Sequence, residues 1–262
     1  MSTDVLHHDE PVMGTVVSID IYPSKLSRDA EILALARARM TLHRVDAVFS
    51  TYREHSPISR LRRGEIALDE APAEVAEVLD LCKVVREMSE GWFDPWAMPG
   101  GVDPTGLVKG WSVQRVLHEL VVAGVEIASV NAGGDIATTG VPRGLDRWRF
   151  GVQDPFFTDR LVCIVKVLGA IATSGSYTRG AHLIDPRSRR AVVGVASATV
   201  VGSDLTIADG LATALAVAGP ALLGAIERAG CLGFVITSEG MQHFSPDFPF
   251  ADINQEAGPE PQ

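Results

Sequence analysis

The run VMGTVVSIDIY, residues Val12 to Tyr22, alternates apolar with small or polar residues and is rich in β-branched side chains, the pattern of a strand. The stretch after this strand constrains the fold most, because two helical segments come in succession where a parallel fold would place one helix and a returning strand. Asp29 to Phe49 carries Ile32, Leu35, Ala36, Met40, Leu42 and Val45 near helical spacing. A polar loop, STYREHSPISRLRRGE, leads to a second helix over Ala73 to Ser89, closed by Gly91. A strand feeding two helices breaks the βαβ repeat of a doubly wound sheet. Further on, Trp111 to Ala123 reads as helix, and ASVNAGGDIATTG and WRFGVQDP as short strands joined by glycine turns. Strands at Leu161 to Val167, Val195 to Val201 and Gly233 to Thr237 then alternate with helices at Leu205 to Ala218 and Ala221 to Ala229. This order predicts an α+β fold with a largely antiparallel sheet, in one domain over residues 1–253 with a polar tail at 254–262.

Of 262 residues, 46% are hydrophobic, enough to build a large core. Thirty-three acidic against 23 basic side chains leave a formal net charge of −10, which repels a phosphate backbone and argues against nucleic acid as a partner. The N-terminal MSTDVLHHDEPVMGT holds no apolar core of signal-peptide length, and later apolar runs are broken by charges, Gly or Pro. Cys82, Cys163 and Cys231 are odd in number and far apart, which argues against a disulfide framework or a zinc site. A cytoplasmic protein with reduced thiols and no membrane insertion is expected.

Familiar site motifs are missing: no G-x-S-x-G surrounds Ser174 or Ser176, no G-x-x-x-x-G-K-[ST] occurs, and NAGGD is not G-x-G-x-x-G. Polar clusters flanked by glycine stand in their place. In ADGLAT, Asp209 and Thr213 lie four apart on one helix face, so a carboxylate and a hydroxyl can reach one hard cation; equally, Thr206 to Asp209 fits a capping box. VDPTGLVKG gathers Asp103, Gly106 and Lys109 around a turn leading into a helix, where a lysine can neutralise a diphosphate or simply face solvent. Met13 and the aromatic WFD at Trp92 to Asp94 suit a flat conjugated ring or a core. In ATSGSYTRGAHLIDP, two short strands would bring Ser174, Tyr177 and His182 to one site, and His182 is the ionisable group there suited to proton transfer near neutrality.

The succession MGT (Met13), STY (Ser50 to Tyr52), WFD, VDPTGLVKG, NAGGD (Asn131 to Asp135), ATSGSYTRGAHLIDP and ADGLAT resembles the ApbE family of FAD:protein FMN transferases, from Met13 to Gly219. The resemblance implies the family's T-fold-like architecture and a Mg²⁺-dependent enzyme that moves FMN from FAD onto a Thr or Ser hydroxyl of an acceptor protein, releasing AMP. It implies Asp209, Thr213 and the Gly106 carbonyl as metal ligands, and Asp103 and Lys109 as FAD contacts. Met13, Ser50, Thr51, Tyr52, Trp92, Phe93 and Asp94 would line the flavin cleft, with Ser174 and Tyr177 beside it and His182 in catalysis. The chain departs from the family at Ser176, where an acid is usual, at Ala212, where a hydroxyl residue is common, at Arg62, where Asn is common, and in a shorter loop between Trp96 and Asp103. These departures bear on turnover more than on FAD binding, and they keep an FAD pyrophosphatase and a non-catalytic FAD-binding protein as alternatives.

Overall fold

The computed structural model describes residues 4–175 and 183–251. Strands β1 (Leu6–Val12) and β2 (Thr15–Ile21) form an antiparallel hairpin closed at Val12 and Thr15. Its two-residue turn is Met13–Gly14, at φ 54° and 69°, the left-handed pair whose twist matches the flanking strands. The strand expected over Val12 to Tyr22 is β2 from Thr15 onward, while Val12 ends β1 and Met13 is a turn residue rather than part of a strand.

Helices α1 (Arg28–Phe49), α2 (Pro57–Arg62), α3 (Ala73–Met88) and α4 (Thr105–Val122) come next. Helix α1 buries Ala34, Leu35, Ala38, Leu42 and Val45, while the expected stripe residues Ile32 and Met40 face solvent. Helix α2 lies inside the stretch expected as loop; Ser56 caps it by accepting from the Ser59 amide, and Pro57 occupies its first turn. Helix α4 begins at Thr105, six residues before Trp111, because Asp103 Oδ1 accepts from both the Thr105 amide (3.1 Å) and hydroxyl (2.6 Å). That turn, one residue ahead of the Pro104 cap, fixes the start of a helix whose Gly106 and Gly110 have poor helix propensity.

The remaining elements are β3 (Ala128–Ala132), β4 (Asp135–Thr139), β5 (Trp148–Gln153), β6 (Leu161–Val167), β7 (Ala170–Gly175), β8 (Val195–Gly202), α5 (Leu205–Ala218), α6 (Leu223–Arg228), β9 (Leu232–Thr237) and β10 (Gln242–Phe244). Eight strands form one sheet in the order β1-β2-β3-β4-β7-β8-β9-β10, antiparallel at every neighbouring pair. The α+β expectation with an antiparallel sheet holds. Strands β5 and β6 form a separate ribbon, whose Trp148, Val152, Val165 and Val167 join Phe234 and Phe248 in a second apolar cluster. Of the segment HLIDP, expected as a strand, the described residues from Leu183 on contribute a single bridge, from Ile184 to Ala191. Helix α5 packs against α4 on one side and against β7 and β8 on the other. It is apolar nearly all round for that reason, with Leu205, Leu211 and Leu215 fully buried.

At the β1 edge, Glu10 is buried at 6% exposure and receives hydrogen bonds from His8 Nε2 (2.8 Å), Arg39 Nε and His43 Nε2 (2.9 Å), the last two from α1. These donors, His8 foremost, hold its carboxyl at about 2, below its usual 4.5. A folded-state value below the unfolded one contributes stability that is present above the ordinary carboxylate range and is lost as pH falls from 4.5 towards 2. Arg39 and His43 are about half exposed, so water screens the pair and we expect roughly 1 kcal/mol rather than the full linkage value. Glu10→Gln should lower the melting temperature at pH 7 and flatten the acid limb of the stability curve between pH 4.5 and 2. Parallel acid melts of the two proteins would refute this by superimposing.

Candidate active site

The cleft is built where α4 meets α5. A Cβ on Gly110 would lie 2.5 Å from the Leu205 carbonyl oxygen and 2.6 Å from Asp209 Cβ, so only glycine lets the two helices approach this closely. The approach turns the Gly110 amide into a donor to Asp209 Oδ2, at 2.7 Å. In an α-helix that amide ordinarily serves the carbonyl four residues back, which here is Gly106. Donation to Asp209 competes with that bond, and the Gly106 carbonyl accepts from Thr213 Oγ1 at 3.1 Å. Ser174 Oγ, at the end of β7, lies 3.4 Å from the same Thr213 hydroxyl.

Asp209, Thr213 and Gly106 thus share one wall of the cleft. All three offer oxygen, the donor type that hard cations prefer. The 3.1 Å between Thr213 Oγ1 and the Gly106 oxygen is close to the roughly 2.9 Å separating adjacent ligands of an octahedral ion with bonds of about 2.05 Å. Among the described residues no cluster of three or more His, Cys, Asp or Glu forms a metal site, so a cation held here leans on one carboxylate and neutral oxygens. The capping alternative for Asp209 falls: the cap of α5 is Asp204, whose carboxylate accepts from the Ile207 amide at 3.2 Å.

Two charges are placed by partners remote from them in sequence. Lys109, on α4, forms an ion pair with Asp135 Oδ2, and Asp135 is 1% exposed. Asp135 Oδ1 accepts from the Thr173 amide at 2.9 Å, which ties the lysine to β7. Asp103 is paired with Arg62, whose Nη1 donates to Oδ2 at 2.5 Å and whose Nη2 donates to the Pro99 carbonyl at 3.0 Å. With Thr105 on Oδ1 and Arg62 on Oδ2, Asp103 keeps little free accepting capacity for a ligand. A signal for Asp135 is present in NAGGD, at the end of a glycine turn. Nothing local in the sequence pairs Arg62 with a residue 41 positions away.

Of the candidate residues, Trp92, Phe93, Asp94, Asp103, Gly106, Lys109, Ser174, Asp209 and Thr213 line this cleft, together with Thr173, Leu183 and Ile184, which the sequence does not single out. Asp94 is engaged locally, accepting from the Trp96 amide at 3.0 Å and from Arg86 Nε at 2.8 Å. Met13, Ser50, Thr51 and Tyr52 stand outside its wall. Met13 Sδ accepts from Ser112 of α4, the Ser50 carbonyl accepts from the Ser56 and Ser59 hydroxyls, and Tyr52 is 95% exposed. Ser176, Tyr177 and His182 lie outside the described residues.

A sequence model of the ApbE family matches residues 13–101 and 96–231. The chain is 34% identical over 158 residues to the FAD:protein FMN transferase of Vibrio cholerae, covering 55% of this chain and 47% of that protein. It is also 34% identical over 127 residues to that of Rhodobacter capsulatus, covering 45% of this chain and 24% of that one. The matches thus span about half or less of these relatives. In structure it is similar to the flavin transferase ApbE from Vibrio cholerae, with a TM-score of 0.80 at 24% identity over 94% of this chain and 99% of the other. The ApbE protein of Thermotoga maritima gives 0.78 at 20% identity over 93% and 98%. At these identities the two structures speak for the fold.

The glycine pair yields an ordering of effects. A Cβ on Gly106 would meet its nearest neighbour, Thr213 Cγ2, at 3.2 Å, a contact a side chain can relieve, whereas on Gly110 it meets backbone. Gly110→Ala should therefore cost about 1–3 kcal/mol of stability, the usual range for overpacking, and Gly106→Ala clearly less. Thermal melts of both variants check this; equal losses would mean that the α4–α5 contact yields more readily than its geometry indicates.

Proposed function

The chain belongs to the ApbE family, and we propose that it transfers the FMN half of FAD onto a Thr or Ser hydroxyl of an acceptor protein, with Mg²⁺ in the oxygen-lined site and AMP as the second product. The observation that carries this reading is the convergence of the Asp209 carboxylate, the Thr213 hydroxyl and the Gly106 carbonyl on one cleft wall, with the Lys109 ammonium on the same helix as Gly106. Bound there, Mg²⁺ would neutralise charge on the diphosphate of the substrate. Lys109, aimed by Asp135, supplies further positive charge to the same group. Trp92 and Phe93 offer apolar surface to the substrate's rings.

In the transfer, the acceptor oxygen forms a bond to the phosphorus of the FMN half while the bond from that phosphorus to the bridging oxygen breaks. The bridging oxygen leaves with AMP. Positioning and charge stabilisation supply most of the catalysis in such a reaction, which suits a site holding few ionisable groups. The acceptor hydroxyl proton is assigned to His182, on the family resemblance alone.

Incubation with FAD, Mg²⁺ and a peptide carrying an acceptor Thr, followed by mass measurement, tests the reading. FMN joined to the peptide is expected. Free FMN with AMP would mean that water is the acceptor, and intact FAD would leave a binding protein. For the cation, Asp209→Asn removes the one full negative charge assigned to it and keeps an oxygen for the Gly110 amide, while Thr213→Val removes a neutral oxygen at nearly constant shape. Both variants should stay folded and need more Mg²⁺ for half-maximal turnover, Asp209→Asn the more so. Activity against Mg²⁺ concentration beside a melting curve checks it, and an unchanged requirement in both variants would move the metal elsewhere.

A further inference from the structure

Residues 183–192 fold as a narrow turn. The Val192 amide donates to the Leu183 carbonyl (2.9 Å), the Asp185 amide to the Arg190 carbonyl (2.9 Å), and the Arg189 amide to the Asp185 carbonyl (2.7 Å). The Asp185 carboxylate accepts from the Arg187 amide and the Ser188 hydroxyl, both at 2.8 Å, which fixes the tip. From that tip the Arg187 side chain reaches away from its own turn. Its guanidinium lies 3.7 Å from the centroid of the Trp92 ring, and Nη2 donates to the Glu90 carbonyl at 3.1 Å.

The position of Trp92 is set by a sharp reversal after α3, in which Glu90 and Gly91 take φ of 54° and 81°. The Glu90 carboxylate accepts from Arg228 of α6 at 2.6 Å, so the carbonyl that receives Arg187 belongs to an anchored residue. Leu183 and Ile184 at the base of the turn, and Trp92 to Asp94 after the reversal, are separate stretches of wall of the same cleft. One guanidinium therefore joins the two, by a cation–π contact over the ring and a directed hydrogen bond to the backbone.

We infer that Arg187 is a positioning residue of the FAD cleft, acting through Trp92: it holds the indole and the Leu183–Ile184 wall at a fixed separation, so that the substrate meets a preformed slot. The inference rests on the proposed FAD reading. Arg187 is exposed, and an exposed cation–π contact shifts an equilibrium by only roughly two- to fivefold, so the effect belongs to substrate affinity and leaves the global fold nearly unchanged. Pre-ordering the wall removes an entropic cost that FAD would otherwise meet on binding.

The test is an FAD titration by flavin fluorescence, with FAD KM and kcat measured alongside, for wild type, Arg187→Ala, Arg187→Lys, Trp92→Ala and the double variant. Arg187→Ala should weaken FAD binding by roughly fivefold and raise KM to match, with kcat within about twofold and the melting temperature nearly constant. Arg187→Lys should recover part of the affinity, since an ammonium keeps the cation–π attraction without the guanidinium fork. In the Trp92→Ala background, loss of Arg187 should cost clearly less than in wild type, because the contact through the indole is gone and only the hydrogen bond to the Glu90 carbonyl remains. Unchanged affinity in Arg187→Ala, or a full effect that persists without Trp92, overturns the assignment alone. A wild type that binds no FAD overturns it together with the proposed function.

Discussion

The cleft depends on one close approach, that of α4 to α5 at Gly110. No other residue type fits between the Leu205 carbonyl and Asp209, and the missing side chain exposes a backbone amide where a carboxylate can take it. A 3%-exposed carboxylate needs hydrogen-bond donors, and this amide is one that the helix holds in place. The same contact brings the first turn of α4 beside Thr213, so a helix carbonyl faces the cleft. Packing and chemistry are here a single constraint, since separating the helices would unmake the oxygen set before it exposed any core.

Charge in the cleft is arranged in pairs. The protein carries a net charge of −10, yet cations stand at and beside the cleft, and part-buried cations need partners. Lys109 is held by Asp135, and Arg62 by Asp103, so each positive group is fixed in direction by a carboxylate behind it. The arrangement lowers the cost of burying the lysine and limits how far its ammonium can wander. It also gives Asp103 two duties within the fold, since its carboxylate holds Arg62 through one oxygen and the start of α4, at Thr105, through the other.

Much of this is legible in the sequence wherever a local rule governs. The antiparallel α+β architecture can be read from a strand feeding two helices, and α5 is bounded correctly by Leu205 and Ala218 because Asp204, Gly219 and Pro220 mark its ends. Helix α2 escapes notice because six residues are too few to show a period, although Ser56 and Pro57 spell its start. The start of α4 is misplaced because glycines placed for close packing look like turn residues. In α1 the apolar pattern points to Ile32 and Met40, while the helix turns Ala34 and Ala38 inward to let neighbours approach. Of the site, most residues that touch the cleft are legible and the pairings that steer them are not. Asp135, Arg62 and Arg187 act on partners 26, 41 and 95 positions away, separations that only the fold closes.

Ala212 shows how the departures from the family pattern join the packing argument. It lies on α5 directly before the ligand candidate Thr213 and is fully buried, as are its neighbours Leu211 and Ala214. A hydroxyl at this position would need a hydrogen-bond partner in a largely apolar setting, or a cation to serve as one. With alanine there, α5 carries its polar atoms only on the face turned to α4 and β7, where Asp209 meets the Gly110 amide and Thr213 meets Gly106 and Ser174. The oxygen set is thereby reduced to the groups that also hold the helices together. A cation bound to it would compete with the Thr213–Gly106 hydrogen bond for the same carbonyl. That couples metal occupancy to the tightness of the α4–α5 contact, and so to the wall on which the substrate's diphosphate would rest.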